Sequence, residues 1–85
     1  MVAPMTLARY FVFARGANWI VAVDGQPIGR HPTRSEALGS AIVMADLMGS
    51  MHHDADVMVE SEDGQLSLAW TFGRDPLPQT GARAA

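Results

Sequence analysis

The segment from position 33 to position 51 is the feature that most limits what this chain can fold into. Thr33 and Glu36 form a capping-box pattern, in which each side chain satisfies a free backbone amide at the start of a helix. Beyond this cap, Asp46 is the only charged residue between positions 41 and 48. A helix that lies on a sheet in water carries polar residues on its outer face. The sequence therefore predicts a helix whose outer face is covered by something else.

At 100° per residue, the side chains of this helix fall on two faces. Val43 and Leu47 lie four residues apart on the outer face and are predicted to meet a partner. Gly39 and Gly49 each cost the helix about 1 kcal/mol relative to alanine. The wide arc predicted to face the sheet consists of Ala37, Leu38, Ala41, Ile42, Met44, Ala45 and Met48.

Strand-like segments lie on both sides of the helix. Residues 9–14 and 19–23 are rich in aromatic and branched side chains and predict a first hairpin. Residues 57–61 and 65–72 predict a second hairpin, with Asp63-Gly64 as a two-residue type I′ loop. This loop would place Val57 opposite Trp70 and Val59 opposite Leu68.

The order of these elements predicts an α+β fold of ββαββ order. Its four-stranded antiparallel sheet would carry one helix on one face, and residues 26–30, after the Asp24-Gly25 turn, would extend the sheet briefly. The predicted boundaries are a short lead-in over 1–8, a single domain over 9–73 and a flexible tail over 74–85. A domain of 85 residues buries only about 60% of its unfolded surface, so its stability margin is small.

Both faces of the first hairpin are apolar, whereas a sheet with one solvated face should alternate. The face turned away from the helix carries one of two sets. The first is Phe11, Phe13, Ile20 and Ala22, and the second is Tyr10, Val12, Trp19 and Val21. Together with the outer face of the helix, this pattern predicts an interface. The residues assigned to the interface are Phe11, Phe13, Ile20, Val43 and Leu47.

Composition excludes several classes of protein. The net charge is −3 and the six basic residues are all scattered arginines, so the basic patch of a nucleic-acid binder is absent. No apolar run approaches the roughly 20 residues that span a bilayer. The first residues lack the basic and apolar regions of a secretory signal, so we expect a cytoplasmic protein. There are no cysteines, which excludes disulfides and thiolate metal sites.

One segment could bind a metal. Imidazole and carboxylate groups at His52, His53 and Asp54 suit zinc or nickel, with Asp56 or His31 as a further ligand. The other interpretation is a solvated polar loop, and no cofactor is expected. The acidic residues 60, 62 and 63 flank a tight turn, and no nucleophile has a plausible base beside it. We therefore expect a protein that is not an enzyme.

The chain resembles the short bacterial proteins grouped as the domain-of-unknown-function family numbered 2188. The resemblance runs from about Tyr10 to Pro78. It depends on the order and spacing of Val12, Trp19-x-Val21, Thr33-x-x-Glu36-Ala37, Ala41, Ala45, Asp63-Gly64, Phe72-Gly73 and Asp75-Pro76. The family implies the same strand–strand–helix–strand–strand order and no known activity.

These observations predict a small interaction domain without catalytic activity. It would form a homodimer, or dock on a protein partner, through its apolar helix and sheet surfaces. The alternative is a metal- or small-ligand-binding domain that uses the His52-His53 loop. Neither a nucleic acid nor a membrane is expected as a partner.

Overall fold

A computed structural model describes residues 7–51 and 54–77. The chain forms one sheet of five strands, in the spatial order β3-β2-β1-β4-β5, with a single helix across one face. The predicted α+β class, with one helix packed on one face of the sheet, is confirmed. The elements are β1 (Leu7–Arg15), β2 (Asn18–Val23), β3 (Gln26–His31), α1 (Arg34–Ser50), β4 (Asp54–Glu60) and β5 (Leu66–Thr71).

The prediction of four antiparallel strands is wrong, because residues 26–31 form a full strand. β3 pairs with β2 in antiparallel orientation, and β1 and β4 pair in parallel at the centre of the sheet. The helix carries the chain from the end of β3 back to the end of the sheet at which β3 began, so β4 runs parallel to β3. Because β3 also runs in the direction of β1, β4 is parallel to β1.

The two tight turns before the helix follow ordinary hairpin chemistry. Arg15 pairs with Asn18 across a two-residue loop whose first residue, Gly16, has a φ of 63°. Asp24 and Gly25 have φ angles of 52° and 81°. Both central residues of a type I′ turn need a positive φ, so the type I′ loop of this protein lies at Asp24-Gly25.

The second hairpin differs from its prediction. Gly64 has a φ of 86° and donates its amide to the carbonyl of Ser61, which gives a three-residue loop in place of a two-residue type I′ loop. Val57 lies opposite Trp70 as predicted, but a bulge follows and Val59 lies opposite Ser67. The predicted pairing of Val59 with Leu68 is therefore wrong.

The core lies between the helix and the sheet. Val12, Val21 and Val57 are its largest completely buried side chains, one from each of three neighbouring strands. Trp70 is buried, and Trp19 packs against the edge of the same cluster. The helix contributes Ala37, Ala41, Ile42 and Ala45 as buried residues, and Leu38, Met44 and Met48 pack partly against them. The predicted sheet-facing arc is therefore confirmed.

Small residues let the helix approach the sheet closely. The helix begins where predicted, with the hydroxyl of Thr33 accepting a hydrogen bond from the amide of Glu36 at 3.2 Å. Further along, Gly49 is buried against the ring of Phe72, which occupies the space that a Cβ atom would need. A Cβ atom on Gly39 would have open space around it. The two helical glycines therefore differ, since only Gly49 is required by packing.

The hydrogen-bonded structure extends past both predicted domain boundaries. β1 begins at Leu7. After β5, the carboxylate of Asp75 accepts a hydrogen bond from the amide of Thr71 at 2.9 Å, and Trp70 donates its indole N–H to the carbonyl of Pro76 at 2.9 Å. No helix in the described ranges is long and apolar enough to cross a membrane.

We expect Gly49→Ala to lower the free energy of unfolding by about 1–3 kcal/mol, because the new methyl group displaces the ring of Phe72. Gly39→Ala is the matched control and should raise it by about 0.5–1 kcal/mol through helix propensity alone. Urea denaturation of both variants checks this. Equal effects of the two substitutions would contradict the close packing of Gly49 on Phe72.

A second prediction concerns acid. The hydroxyl of Ser61 and then the amide of Gln65 donate to the carboxylate of Asp63, and these bonds lower its pKa. Because the folded pKa lies below the unfolded one, the stabilisation is present above about pH 4 and is lost as the pH falls through the folded value. Ser61→Ala should raise the pKa of Asp63 in an NMR titration, whereas Ser67→Ala on the neighbouring strand should not. An unchanged pKa in Ser61→Ala would contradict this account of the loop.

Candidate functional site: the open face of the sheet

The surface of the sheet opposite the helix is the main candidate for a functional site. We call it the open face. Side chains alternate along a strand, so the buried Tyr10 and Val12 face the helix and Phe11 and Phe13 face the other way. Cross-strand pairing places Ala22 beside Phe11 and Ile20 beside Phe13. The sequence allowed two sets of residues on the face turned away from the helix. The structure places the first set there, which is Phe11, Phe13, Ile20 and Ala22.

The bulge in β5 adds two leucines to this face. Leu68 pairs with Met58 and Leu66 pairs with Glu60, on the side of β4 that is turned away from the helix. Leu66 and Leu68 are 48% and 45% exposed. The predicted pairing of Val59 with Leu68 would instead place Leu68 on the same face as Trp70. Sequence reasoning missed the two leucines because a bulge that flips the face of a strand leaves no mark on an alternating apolar pattern.

The open face is concave. A depression of about 440 Å³ crosses it from the turn after β2 to the loop before β5. Phe11, Phe13, Ala22 and Pro27 line it on one side and Leu66 on the other. Arg15 and Glu60 also line it. The surface is thus an apolar floor with one cation and one anion among its lining residues.

Glu60 and Arg15 are both held by contacts within the fold. β1 continues beyond the end of β4, and a carboxylate oxygen of Glu60 accepts a hydrogen bond from the amide of Ala14 at 2.9 Å. This bond satisfies a backbone donor that has no strand to pair with on the β4 side. The guanidinium carbon of Arg15 lies 5.5 Å from the centre of the Phe13 ring, in reach of a cation–π interaction.

An ion pair closes the other end of the open face. Arg9 and Asp56 are direct neighbours across the parallel strands β1 and β4. The guanidinium donates from Nε and Nη2 to the two carboxylate oxygens, each at 2.9 Å. The hydrogen bond to Asp56, and then its charge, raise the pKa of Arg9. Asp56 is buried at 7% exposure, so this pairing occupies the carboxylate that the sequence suggested as a metal ligand.

The proposed metal ligands do not converge in the described part of the chain. His52 and His53 lie outside the described residues. Asp54 is exposed at the start of β4, whereas His31 is at the end of β3, three strands away in the sheet order. Within residues 7–51 and 54–77, no three His, Asp or Glu side chains form a group that could hold a metal ion.

The outer face of the helix forms a separate surface. Val43 and Leu47 are 65% and 60% exposed. A shallow groove of about 640 Å³ runs beside Val43 and is lined by polar and apolar residues, His31, Ser35, Glu36, Gly39, Ser40 and Met44. Because the helix covers the other side of the sheet, Val43 and Leu47 point away from the open face. The five residues predicted for one interface therefore lie on two opposite surfaces.

One further group has a shifted pKa. Burial, and secondarily the charge of Asp24, raise the pKa of Tyr10. Its side chain belongs to the core beneath the helix. Together with the ion pair of Arg9, this shift reflects packing of the fold.

Comparison with known proteins adds nothing to these assignments. No family model, curated protein or solved structure matches the sequence or the fold. The resemblance to the family of unknown function numbered 2188 therefore stays a prediction.

Proposed function

We propose that this protein is a small interaction domain without catalytic activity and that it associates with a second copy of itself through the open face. The observation that carries the proposal is the parallel pair β1–β4, which is covered by the helix on one side only. Sheets made only of parallel strands are almost always covered on both faces, and an antiparallel sheet with one solvated face carries polar residues on that face. Phe11, Phe13 and Met58 instead form an apolar centre on the uncovered side of this pair, between charged residues at its two ends.

The size of the open face suits a dimer. The five strands, spaced about 4.8 Å apart and about six residues long at roughly 3.3 Å each, cover roughly 24 by 20 Å. Two such faces bury on the order of 1,000 Å² together, which is the lower limit for a specific interface. The area therefore supports a reversible dimer rather than an obligate one.

The charges of the open face also favour a second copy. A two-fold axis brings the same patch of each copy together, so the patch must complement itself. Arg15 and Glu60 carry opposite charges and line the same depression. A two-fold axis between them would place the arginine of each copy near the glutamate of the other.

We expect wild-type protein to show a dimer mass by light scattering at micromolar concentration. Phe13→Glu should reduce the mass to that of a monomer, because it would bury a charge in an apolar contact. Val43→Glu is the matched control, since it adds the same charge to the opposite surface, and it should leave the dimer intact. A chelator should also leave the mass unchanged, because an apolar interface needs no metal.

Three outcomes would count against the proposal. A wild-type monomer at micromolar concentration would exclude self-association through this face. Dissociation by Val43→Glu but not by Phe13→Glu would move the interface to the helix. Dissociation by the chelator would favour the metal-binding alternative at the His52-His53 loop. Circular dichroism of each variant establishes that it is folded.

A further inference from the structure

The two edges of the sheet differ in how well they are protected against pairing with another strand. Both edge strands contain a bulge, but at one edge β3 also carries Pro27 and Gly29. Proline, charge and bulges are the usual devices that prevent edge-to-edge pairing, and Arg30 adds an exposed charge. At the other edge, β5 has the sequence Leu-Ser-Leu-Ala-Trp-Thr and carries neither charge nor proline.

The hydrogen-bonding pattern shows which backbone groups of β5 face outward. The carbonyl of Gln65 accepts from Ser61, and the amide of Phe72 donates to Ala55, so both residues point toward β4. Peptide groups alternate in direction along an antiparallel strand. Leu66 and Leu68, which lie between the loop and the bulge, therefore direct their amides and carbonyls away from the sheet.

In the described residues, the last part of this edge is closed by a contact within the chain. Thr71 also directs its amide outward, and the carboxylate of Asp75 accepts from it at 2.9 Å. In the described residues, no hydrogen bond of this kind covers the amides of Leu66 and Leu68. Among the described residues, the exposed edge therefore covers residues 66–69, and the contact between Thr71 and Asp75 closes the edge beyond them.

We propose that β5 pairs with β5 of a second copy in antiparallel orientation, about a two-fold axis at Ser67. In this register the amide of Leu66 donates to the carbonyl of Leu68 in the other copy, and the amide of Leu68 donates to the carbonyl of Leu66. The edge complements itself because the same two residues supply donors and acceptors on both copies. This contact uses backbone groups at the edge and is independent of the open-face contact.

The contact is weaker than the one proposed for the open face. Each hydrogen bond contributes about 0.5–1.5 kcal/mol net, and the area involved is a single short strand. We therefore expect edge pairing at concentrations above those at which the open face is already occupied. In wild-type protein, it would join two dimers.

The test uses Phe13→Glu, in which the open-face contact is disabled, and measures its molar mass from micromolar to millimolar concentration. The mass should rise toward a dimer. Adding Leu66→Pro removes an outward donor at the first residue of an edge strand, where proline is tolerated, and should abolish the rise. Leu66→Ala is the matched control: it shortens the side chain, keeps the amide and should preserve the rise.

Either of two results would overturn the proposal. One is a mass of Phe13→Glu that stays monomeric at millimolar concentration. The other is an equal loss in Leu66→Pro and Leu66→Ala, which would show that the side chain, and not the backbone, makes the contact. If Phe13→Glu does not fold, amide exchange in wild-type protein replaces it. The amides of Leu66 and Leu68 should then become protected as concentration rises, and constant exchange would overturn the proposal.

Discussion

The parallel pairing of β1 with β4 is the constraint on which the rest of this structure depends. It requires that the chain return to the end of the sheet where β3 began. A helix of 17 residues is about 25 Å long, enough to cross back over the sheet. The stripe of Ala37, Ala41, Ala45 and Gly49 lets that helix lie close to the strands. With one helix available, one side of the central strands is covered and the other is left as an apolar surface.

Local features of the fold could be predicted from the sequence because local chemistry determines them. Thr33 and Glu36 locate the start of the helix, and the spacing of its alanines identifies the face that packs on the sheet. In both cases, residues within the helix and its cap carry the information, and no distant contact is needed. The pairing of Val57 with Trp70 has a different origin: the three-residue loop shifts the register by one residue, and the bulge in β5 restores it.

Global features were harder to predict. Pro27 and Gly29 weaken the strand signal of β3, and without β3 as a strand the direction of β4 is predicted wrongly. Hydrophobicity alone also could not decide which side of the first hairpin meets the helix, since both are apolar. Crossovers between parallel strands are right-handed almost without exception. This chirality of the whole β3–α1–β4 unit, and not the pattern within β1 and β2, determines the side on which the helix lies.

The outer face of the helix is weaker evidence for an interface than the open face. On the helix, Val43 lines a groove that also contains charged and hydroxyl side chains, and Leu47 is a further exposed residue on the same face. Exposed apolar residues of this kind are common on monomeric proteins. The open face is different because its apolar residues are contiguous across β2, β1, β4 and β5. A partner on this face would add burial to a domain too small to build a second layer from its own chain. The same contact would therefore contribute to the stability of the fold as well as to assembly, because a partner that binds only the folded state stabilises it.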